Sequence, residues 1–224
     1  MPLREIPGAV GVLEVLIDEP AASRGVTHEG LVENGGGEAL RAAVVFAHPH
    51  PKMGGGGTMH TKVVYQGAKA LARIGCAVLR FNFRGVGRSE GAFDNGVGEK
   101  DDMKAALDFM HNRYPGIPLW AAGMSFGSWV GLTAGAEDAR VSALIGVAMP
   151  IRNYDFEKVR VSTTPKFFIH GERDEITSLR TMREFYAQAA EPKELAVVDG
   201  ADHLFDGKVT DVADAIEDLL GDWP

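Results

Sequence analysis

Short, continuous apolar runs alternate with segments of helical periodicity from about residue 40 onward, and this alternation constrains the fold more than any other feature. The runs lie at 42–47, 77–83, 119–122, 143–148, 167–169 and 195–198. Apolar residues repeat at helical spacing over 63–74, 103–110 and 209–220. Continuous runs are typical of strands buried on both faces of a parallel sheet. We therefore predict a doubly wound, mostly parallel α/β sheet.

The first forty residues follow a different pattern. Val10–Ile17 and Thr27–Val32 are separated by a polar stretch around Pro20, and they predict antiparallel strands at an edge of the sheet. Asn34–Gly37 predicts a flexible turn after them. The sequence contains no internal repeat, linker or shift in composition. We expect one domain over residues 1–224.

Composition and charge exclude several classes of function. The chain is 45% apolar and 24% charged, with a net charge of −8, which is typical of a globular protein with an acidic surface. An acidic surface without a dense basic run repels nucleic acid and anionic membranes, so we expect neither as a partner. No stretch approaches the roughly 20 apolar residues of a transmembrane helix.

The single cysteine and the acidic start of the chain indicate a reducing compartment. Cys76 begins an apolar run, so it predicts a small buried side chain, and being alone it excludes an intrachain disulfide and a zinc–thiolate cluster. Charged residues within the first twenty positions interrupt any apolar core of a signal peptide. We expect a cytoplasmic protein.

The sharpest motif is Gly123-Met-Ser125-Phe-Gly127, a G-x-S-x-G sequence between an apolar run and a predicted helix at 126–135. A serine on a sharp strand-to-helix turn projects its hydroxyl from the edge of the sheet. Side chains at positions 123 and 127 would collide in such a turn, which explains the two glycines. Gly127, Gly131 and Gly135 share one helical face and predict close approach of the helix to the sheet. The motif predicts Ser125 as a nucleophile.

A serine nucleophile needs a base and an acid that orients the base. In a doubly wound sheet, these residues follow later strands in the order serine, acid, histidine. His203 follows the last predicted strand, and we assign it as the base. Asp174 follows the preceding strand, and we assign it as the acid. Glu172 and Glu175, in the same loop, are the alternative acids.

An oxyanion formed on attack needs two backbone N–H donors. One is expected from Phe126, directly after the nucleophile. The second belongs to the loop after the run at 42–47, where Pro49 and Pro51 have no N–H. Among the remaining residues of this loop we favour His50. Its alternatives are Lys52 and Met53.

Two competing interpretations concern metals and nucleotides. Three histidines lie close in sequence, namely His48, His50 and His60, but prolines flank two of them, so we expect no metal site. We interpret His48 as a side chain that hydrogen-bonds to the backbone of the loop and holds its shape. The glycine-rich stretch 84–91 has Glu90 where a dinucleotide fingerprint needs glycine, and it lacks G-K-[ST]. It predicts a tight turn, tied to acidic partners by Arg84 and Arg88. The alternative role of these arginines is to bind a carboxylate of the substrate.

These motifs together resemble the α/β-hydrolase superfamily, and more narrowly its small, lidless, dienelactone-hydrolase-like or carboxylesterase-like branch. The resemblance rests on His48-Pro-His-Pro, the stretch 81–91, Gly123–Gly127, Gly171-Glu-Arg-Asp174 and Ala201-Asp-His203. Dienelactone hydrolases proper carry a cysteine nucleophile, whereas this chain has a serine, which argues against a dienelactone substrate. The gap from Met149 to Pro165 is too short for a lid domain.

The resemblance implies a Ser125–His203–Asp174 triad without a cofactor, and a small-molecule ester as substrate. Residues expected to bind the acyl group are Met53, Trp129, Ile151 and Leu204. Tyr154, Phe156 and Phe126 are further pocket residues or plain core. A thioesterase or peptidase with the same triad, and a non-catalytic α/β-hydrolase scaffold that binds a ligand, are the alternative functions. The sequence leaves monomer and homodimer both open.

Overall fold

A computed structural model of the chain describes residues 4–20 and 40–223. Its strands are β1 (Arg4–Gly8), β2 (Gly11–Asp18), β3 (Ala43–Ala47), β4 (Ala77–Phe81), β5 (Leu119–Met124), β6 (Val141–Val147), β7 (Lys166–Gly171) and β8 (Lys193–Val198). Its helices are α1 (Lys62–Arg73), α2 (Val97–Arg113), α3 (Phe126–Ala136), α4 (Glu157–Val161), α5 (Leu179–Gln188) and α6 (Val209–Leu220).

The eight strands form one sheet in the order β1-β2-β4-β3-β5-β6-β7-β8. Strands β3 to β8 are parallel, whereas β2 pairs antiparallel with both β1 and β4. The parallel strands therefore all end at one edge of the sheet, called here the carboxyl edge. Strand β4 lies on one side of β3 and strand β5 lies on the other, so the direction of the strand order reverses at β3. Ligands of open α/β sheets bind at such a reversal.

Helices cover both faces of the sheet, because each face of the buried strands is apolar. On one face α1 and α6 pack against the sheet through a core that contains Val64, Leu71, Val212 and Ile216. On the other face α2, α3, α4 and α5 contribute Met103, Val130, Val159 and Phe185. This two-layered core confirms the predicted doubly wound architecture.

Each of the six predicted apolar runs coincides with one of the strands β3 to β8, and α1, α2, α3 and α6 coincide with the predicted helices. Helices α4 and α5 were not predicted. The antiparallel edge is present, and β2 corresponds to the predicted strand Val10–Ile17. Its partner β1 was missed, while the predicted strand Thr27–Val32 and the turn Asn34–Gly37 lie outside the described residues.

The connection from β6 to β7 holds only the five-residue helix α4, so no cap domain is inserted there. Across residues 4–20 and 40–223, no helix has both the length and the apolar character needed to cross a lipid bilayer. Cys76 is fully buried just before β4, as predicted, and burial raises the pKa of its thiol to about 12.

Candidate active site

Ser125 lies between β5 and α3, in a backbone conformation that L-residues rarely adopt. Its φ is 52° and its ψ is −123°, and its N–H donates a hydrogen bond of 2.9 Å to the carbonyl of Val147. Such a conformation persists only where the surroundings enforce it. A Cβ on Gly123 would collide with the backbone of Gly127, and one on Gly127 would collide with the carbonyl oxygens of Ala47 and His48. The two glycines therefore permit the turn, as the motif predicts.

The glycines of α3 also bring this helix close to the sheet. A Cβ on Gly131 would lie 3.1 Å from the carbonyl oxygen of Ala122, and one on Gly135 would lie 2.6 Å from the Cβ of Ala121. The helix therefore packs closely on the sheet. It begins at Phe126, so the N–H groups of Phe126 and Gly127, which have no acceptor within the helix, directly follow Ser125.

The structure brings His203 and Asp174 to Ser125 from two separate loops of the carboxyl edge. The Nε2 atom of His203 lies 2.9 Å from the Oγ atom of Ser125, and its Nδ1 atom lies 2.8 Å from the Oδ2 atom of Asp174. A carboxylate only accepts hydrogen bonds, so Nδ1 carries the proton and Nε2 is free to accept one from the serine hydroxyl. Both side chains are buried, with 4% of each residue exposed.

Hydrogen bonds keep the carboxylate of Asp174 ionised in spite of its burial. Its Oδ1 atom accepts from the N–H groups of Ile176 at 2.9 Å and Thr177 at 2.8 Å. Burial alone would raise the pKa of Asp174, but the hydrogen bonds from His203 and Thr177 outweigh it and hold the pKa below its ordinary value. An ionised Asp174 stabilises the imidazolium that forms when His203 accepts a proton.

The two alternative acids make contacts of a different kind. Glu175 accepts a hydrogen bond of 3.1 Å from the backbone N–H of His203, and Glu172 accepts one of 2.8 Å from the N–H of Gly200. Neither contact involves the imidazole of His203. Both glutamates instead fix the backbone of the loop that carries this histidine, a role that the sequence did not suggest.

Thr177 is a further residue of the site that the sequence analysis missed. It is fully buried, its N–H donates to Asp174, and its carbonyl accepts from the Nε2 atom of His170 at 2.7 Å. Its hydroxyl oxygen accepts a hydrogen bond of 3.2 Å from the N–H of Ile151. An aspartate that accepts from the N–H groups two and three residues later forms an Asx-type turn. Asp174 was therefore the signal in the sequence from which this role of Thr177 could have been found.

The loop after β3 carries His48 and His50 against the nucleophile turn. The Nδ1 atom of His48 donates to the carbonyl of Pro49 at 2.6 Å, and its Nε2 atom accepts from the N–H of Phe83 at 3.1 Å. Both ring nitrogens therefore bind the backbone of loops, as predicted, and neither is free for a metal. Burial lowers the pKa of His48 to about 4, so the ring is neutral at pH 7.

The two residues predicted to donate to an oxyanion contact each other through their rings. Phe126 is the first residue of α3, and the ring of His50 packs on the Phe126 ring with centroids 5.1 Å apart. The N–H of Lys52 donates to the Nδ1 atom of His50 at 3.0 Å, so it is turned into its own loop. This contact leaves His50 and Met53 as donors from the β3 loop.

The turn after β4 is tied to acidic partners, as its sequence predicted. Arg84 donates hydrogen bonds from its guanidinium to both carboxylate oxygens of Asp102, and both side chains are buried. Arg88 forms an exposed ion pair of 2.6 Å with Glu5. The turn thus joins α2 and the edge strand β1 to the site.

Five rings beside Ser125 form a continuous group, called here the aromatic cluster. Its members are His50, Phe93, Phe126, Trp129 and Tyr154, with neighbouring ring centroids 4.4 to 5.8 Å apart. Trp129 stacks on Tyr154 at an interplanar angle of 15°, and its Nε1 atom donates to the carbonyl of Asp155 at 3.0 Å. Phe126 at the centre of the cluster is buried, whereas the other four rings are half-buried.

The four residues expected to bind the acyl group differ in their surroundings. Met53 and Leu204 have 63% and 42% of their surface exposed, and Leu204 directly follows His203. Ile151 and Trp129 are half-buried and pack against the core. Phe156, a further pocket residue of the sequence analysis, is buried against Phe185 and belongs to the core.

Comparison with known proteins shows the family of the chain. A family model described as an alpha/beta hydrolase domain matches residues 40–219. An uncharacterized protein of Rickettsia prowazekii (strain Madrid E) is 35% identical over 182 residues, which cover 77% of this chain and 76% of that relative.

Two solved structures are similar over nearly the whole chain. An alpha-beta serine hydrolase homologue from Coxiella burnetii is 33% identical, with a TM-score of 0.84 over 98% of this chain and 97% of that one. A serine hydrolase without a lid from Xanthomonas campestris is 32% identical, with a TM-score of 0.85 over 99% of this chain and 94% of that one.

Proposed function

The chain belongs to the alpha/beta hydrolase family, and from that premise we propose that it is a serine esterase which cleaves small carboxylic esters through an acyl-enzyme on Ser125. The observation that carries the proposal is the pair of hydrogen bonds made by the His203 ring, one to Ser125 and one to Asp174. A serine hydroxyl attacks only when a base accepts its proton, and an acid on the far side of the ring orients that base.

The reaction has two halves. The Oγ atom of Ser125 attacks the ester carbonyl carbon while its proton passes to the Nε2 atom of His203. The tetrahedral intermediate collapses, the bond to the alcohol oxygen breaks, and His203 returns the proton to the departing alcohol. A water molecule then gives a proton to His203 and attacks the acyl carbon, and the proton returns to Ser125 as the carboxylic acid leaves.

The oxyanion of each intermediate is stabilised by the N–H groups of Phe126 and His50. Phe126 supports this role through its place at the start of α3, where unpaired N–H groups and the helix dipole favour negative charge. His50 supports it through the contact of its ring with Phe126 and through the two prolines that flank it, which cannot donate.

The expected substrates are small because the site lies at the open carboxyl edge. The β6–β7 connection holds only α4, and Met53 and Leu204 beside the site are largely exposed. Such a site lacks the buried apolar surface that binds a long acyl chain. We expect kcat/KM to be highest for acetyl and butyryl esters and to fall for longer chains.

Labelling with a fluorophosphonate probe tests the nucleophile. The wild-type protein should react, Ser125→Ala should not, and Ser142→Ala, which removes an exposed hydroxyl at the start of β6, should react like the wild type. On 4-nitrophenyl acetate, His203→Ala should lower kcat by about 10⁴ or more. Equal labelling of wild type and Ser125→Ala, or an unchanged kcat in His203→Ala, would show that the assignment is wrong.

A further inference from the structure

Most lysines and arginines whose side chains the structure describes have a partner. They pair with a carboxylate, as Arg84 does with Asp102, or donate to backbone carbonyls, as Lys166 does to Ser162 and Thr164. Within residues 4–20 and 40–223, a smaller group has neither kind of partner. Its members are Lys52, Lys62, Lys100, Arg152, Arg173 and Arg183.

Five of these six cations follow the carboxyl ends of parallel strands, where Ser125 also lies. Lys52 and Lys62 follow β3, and Lys100 lies near the start of the helix after β4. Arg152 follows β6 and Arg173 follows β7, whereas Arg183 alone lies in the middle of a helix, α5. Unpaired positive charge in a chain of net charge −8 is thus gathered at the edge that holds the nucleophile.

Carboxylates also occur at this edge, but hydrogen bonds from backbone N–H groups engage several of them. Glu172 and Glu175 accept from the loop of His203, and Glu99 accepts from Asp94 and Gly96 at the start of α2. These carboxylates are therefore committed to holding loops in place. The cations have no such commitment and are free to bind an anion.

Two of the free cations contact the aromatic cluster directly. The Nζ atom of Lys52 lies 4.9 Å from the centroid of Phe93, and that of Lys100 lies 4.9 Å from the centroid of Trp129. Both rings pack on Phe126, the residue after the nucleophile. An ammonium over a ring face is held by the ring, so each lysine has a defined place beside the site.

Lys100 is partly buried beside Trp129. This burial lowers its pKa, and the nearby charges of Lys158 and Lys104 lower it further, whereas Asp155 opposes them. Lys158 and Lys104 are themselves paired with Glu137 and Asp101, whereas Lys100 has no carboxylate partner within the described residues. An anion bound at Lys100 would supply the partner that this ammonium lacks.

We propose that the substrate of the Ser125 site is an anionic ester, one that keeps a free carboxylate or another negatively charged group, which binds Lys100 and Lys52 while the rest of the ester lies on the aromatic cluster. This inference rests on the proposed esterase function and narrows it. The rings of the aromatic cluster favour an aromatic spacer between the ester and the anionic group, because aromatic rings pack on one another.

A matched pair of esters tests the proposal. The anionic ester is 4-acetoxybenzoate, and the neutral one is 4-acetoxybenzamide, in which an amide replaces the carboxylate and the acetate is the only ester. The wild-type ratio of kcat/KM, anionic over neutral, should be well above one and should fall in about 0.5 M sodium chloride. Lys100→Gln should lower that ratio about three- to tenfold, mainly through KM of the anionic ester. Arg183→Gln, which removes an unpaired cation elsewhere, should leave the ratio unchanged.

A binding measurement separates this proposal from the esterase function. Ser125→Ala has no nucleophile, so titration calorimetry on it measures binding without turnover. Benzoate should bind more tightly than benzamide, and adding Lys100→Gln should reduce this preference about three- to tenfold. Equal binding of benzoate and benzamide, or a wild-type ratio near one, overturns the anionic substrate even if the neutral ester is hydrolysed. Benzoate binding without hydrolysis of either ester supports the anion site and contradicts the esterase.

Discussion

Replacing Asp174 by asparagine should abolish nearly all activity without unfolding the protein. The N–H groups of Ile176 and Thr177 both point at Oδ1, so the asparagine must turn its carbonyl oxygen toward them. Its NH₂ group then faces the Nδ1 atom of His203, which has to accept instead of donate. The ring proton is forced onto Nε2, and His203 can no longer take the proton of Ser125.

The expected loss follows from this change of tautomer. A histidine held in the wrong tautomer lowers kcat by about 10⁴, which corresponds to about 5 kcal/mol of transition-state stabilisation. Initial rates with 4-nitrophenyl acetate at pH 7.5 or so measure it. Circular dichroism and urea unfolding check that the variant is folded, since the two backbone hydrogen bonds to position 174 remain.

The two neighbouring glutamates provide matched controls. Glu175→Gln and Glu172→Gln keep an amide oxygen that accepts from the N–H groups of His203 and Gly200, so kcat should stay within about threefold of wild type. If Asp174→Asn stayed within tenfold of wild type while one of these variants lost a thousandfold or so, the reasoning would be refuted and the acid reassigned.

Three further predictions concern stability and reactivity. Because burial lowers the pKa of His48 to about 4 against 6.5 in the unfolded chain, the unfolded state binds the extra proton between these values. The free energy of unfolding should therefore fall between pH 7 and pH 5, and the fall should be about 2 kcal/mol larger in wild type than in His48→Gln. Urea unfolding at the two pH values measures it, and an equal fall in both proteins would contradict the neutral, buried state of His48. Gly127→Ala should lower the free energy of unfolding by about 3 kcal/mol or more, because the new methyl group collides with two backbone carbonyls. Gly131→Ala, whose methyl group would lie 3.1 Å from its nearest atom, should lower it clearly less. The reverse order in urea unfolding would contradict the packing argument. The buried Cys76 thiol should resist iodoacetamide at pH 8 or so until urea unfolds the chain, and rapid labelling of the native protein would contradict its burial.

The sequence predicted the parallel sheet and the meeting of Ser125, His203 and Asp174. The sheet follows from the apolar runs, and the meeting follows from the order of these residues along the strands. Six apolar runs are enough to define β3 to β8, and loops after such strands meet at one edge whatever their detailed course. Ser125, Asp174 and His203 each follow one of these strands, so their meeting follows from the topology.

Helix α5 was missed although the sequence carries a signal for it. Leu179, Met182 and Tyr186 repeat at helical spacing, and Ser178 before them caps the helix. The other two missed elements have no such pattern. Helix α4 is five residues long with one buried side chain, and strand β1 contains Pro7 and is defined by its pairing with β2. Tertiary contacts, which a short stretch of sequence does not reveal, determine these two elements.

The supporting residues of the site were missed for a related reason. Glu172, Glu175 and Thr177 act through hydrogen bonds to backbone groups of other loops, and these depend on the path of each loop in space. A sequence window contains the carboxylate or hydroxyl but not its partner 26 or 28 residues away. The roles of such residues become visible only when the loops are placed together.

The threefold attachment of Thr177 has a consequence for how substrate preference can change. One residue holds the acid through its N–H and the Ile151 loop through its hydroxyl. Substitutions beyond Ile151 that leave its N–H in place can alter selectivity while the acid stays aligned. Substitutions that shift that N–H should disturb binding and turnover together, so the loop after β6 has two regions of unequal tolerance, and Ile151, the residue that Thr177 holds, marks the boundary between them.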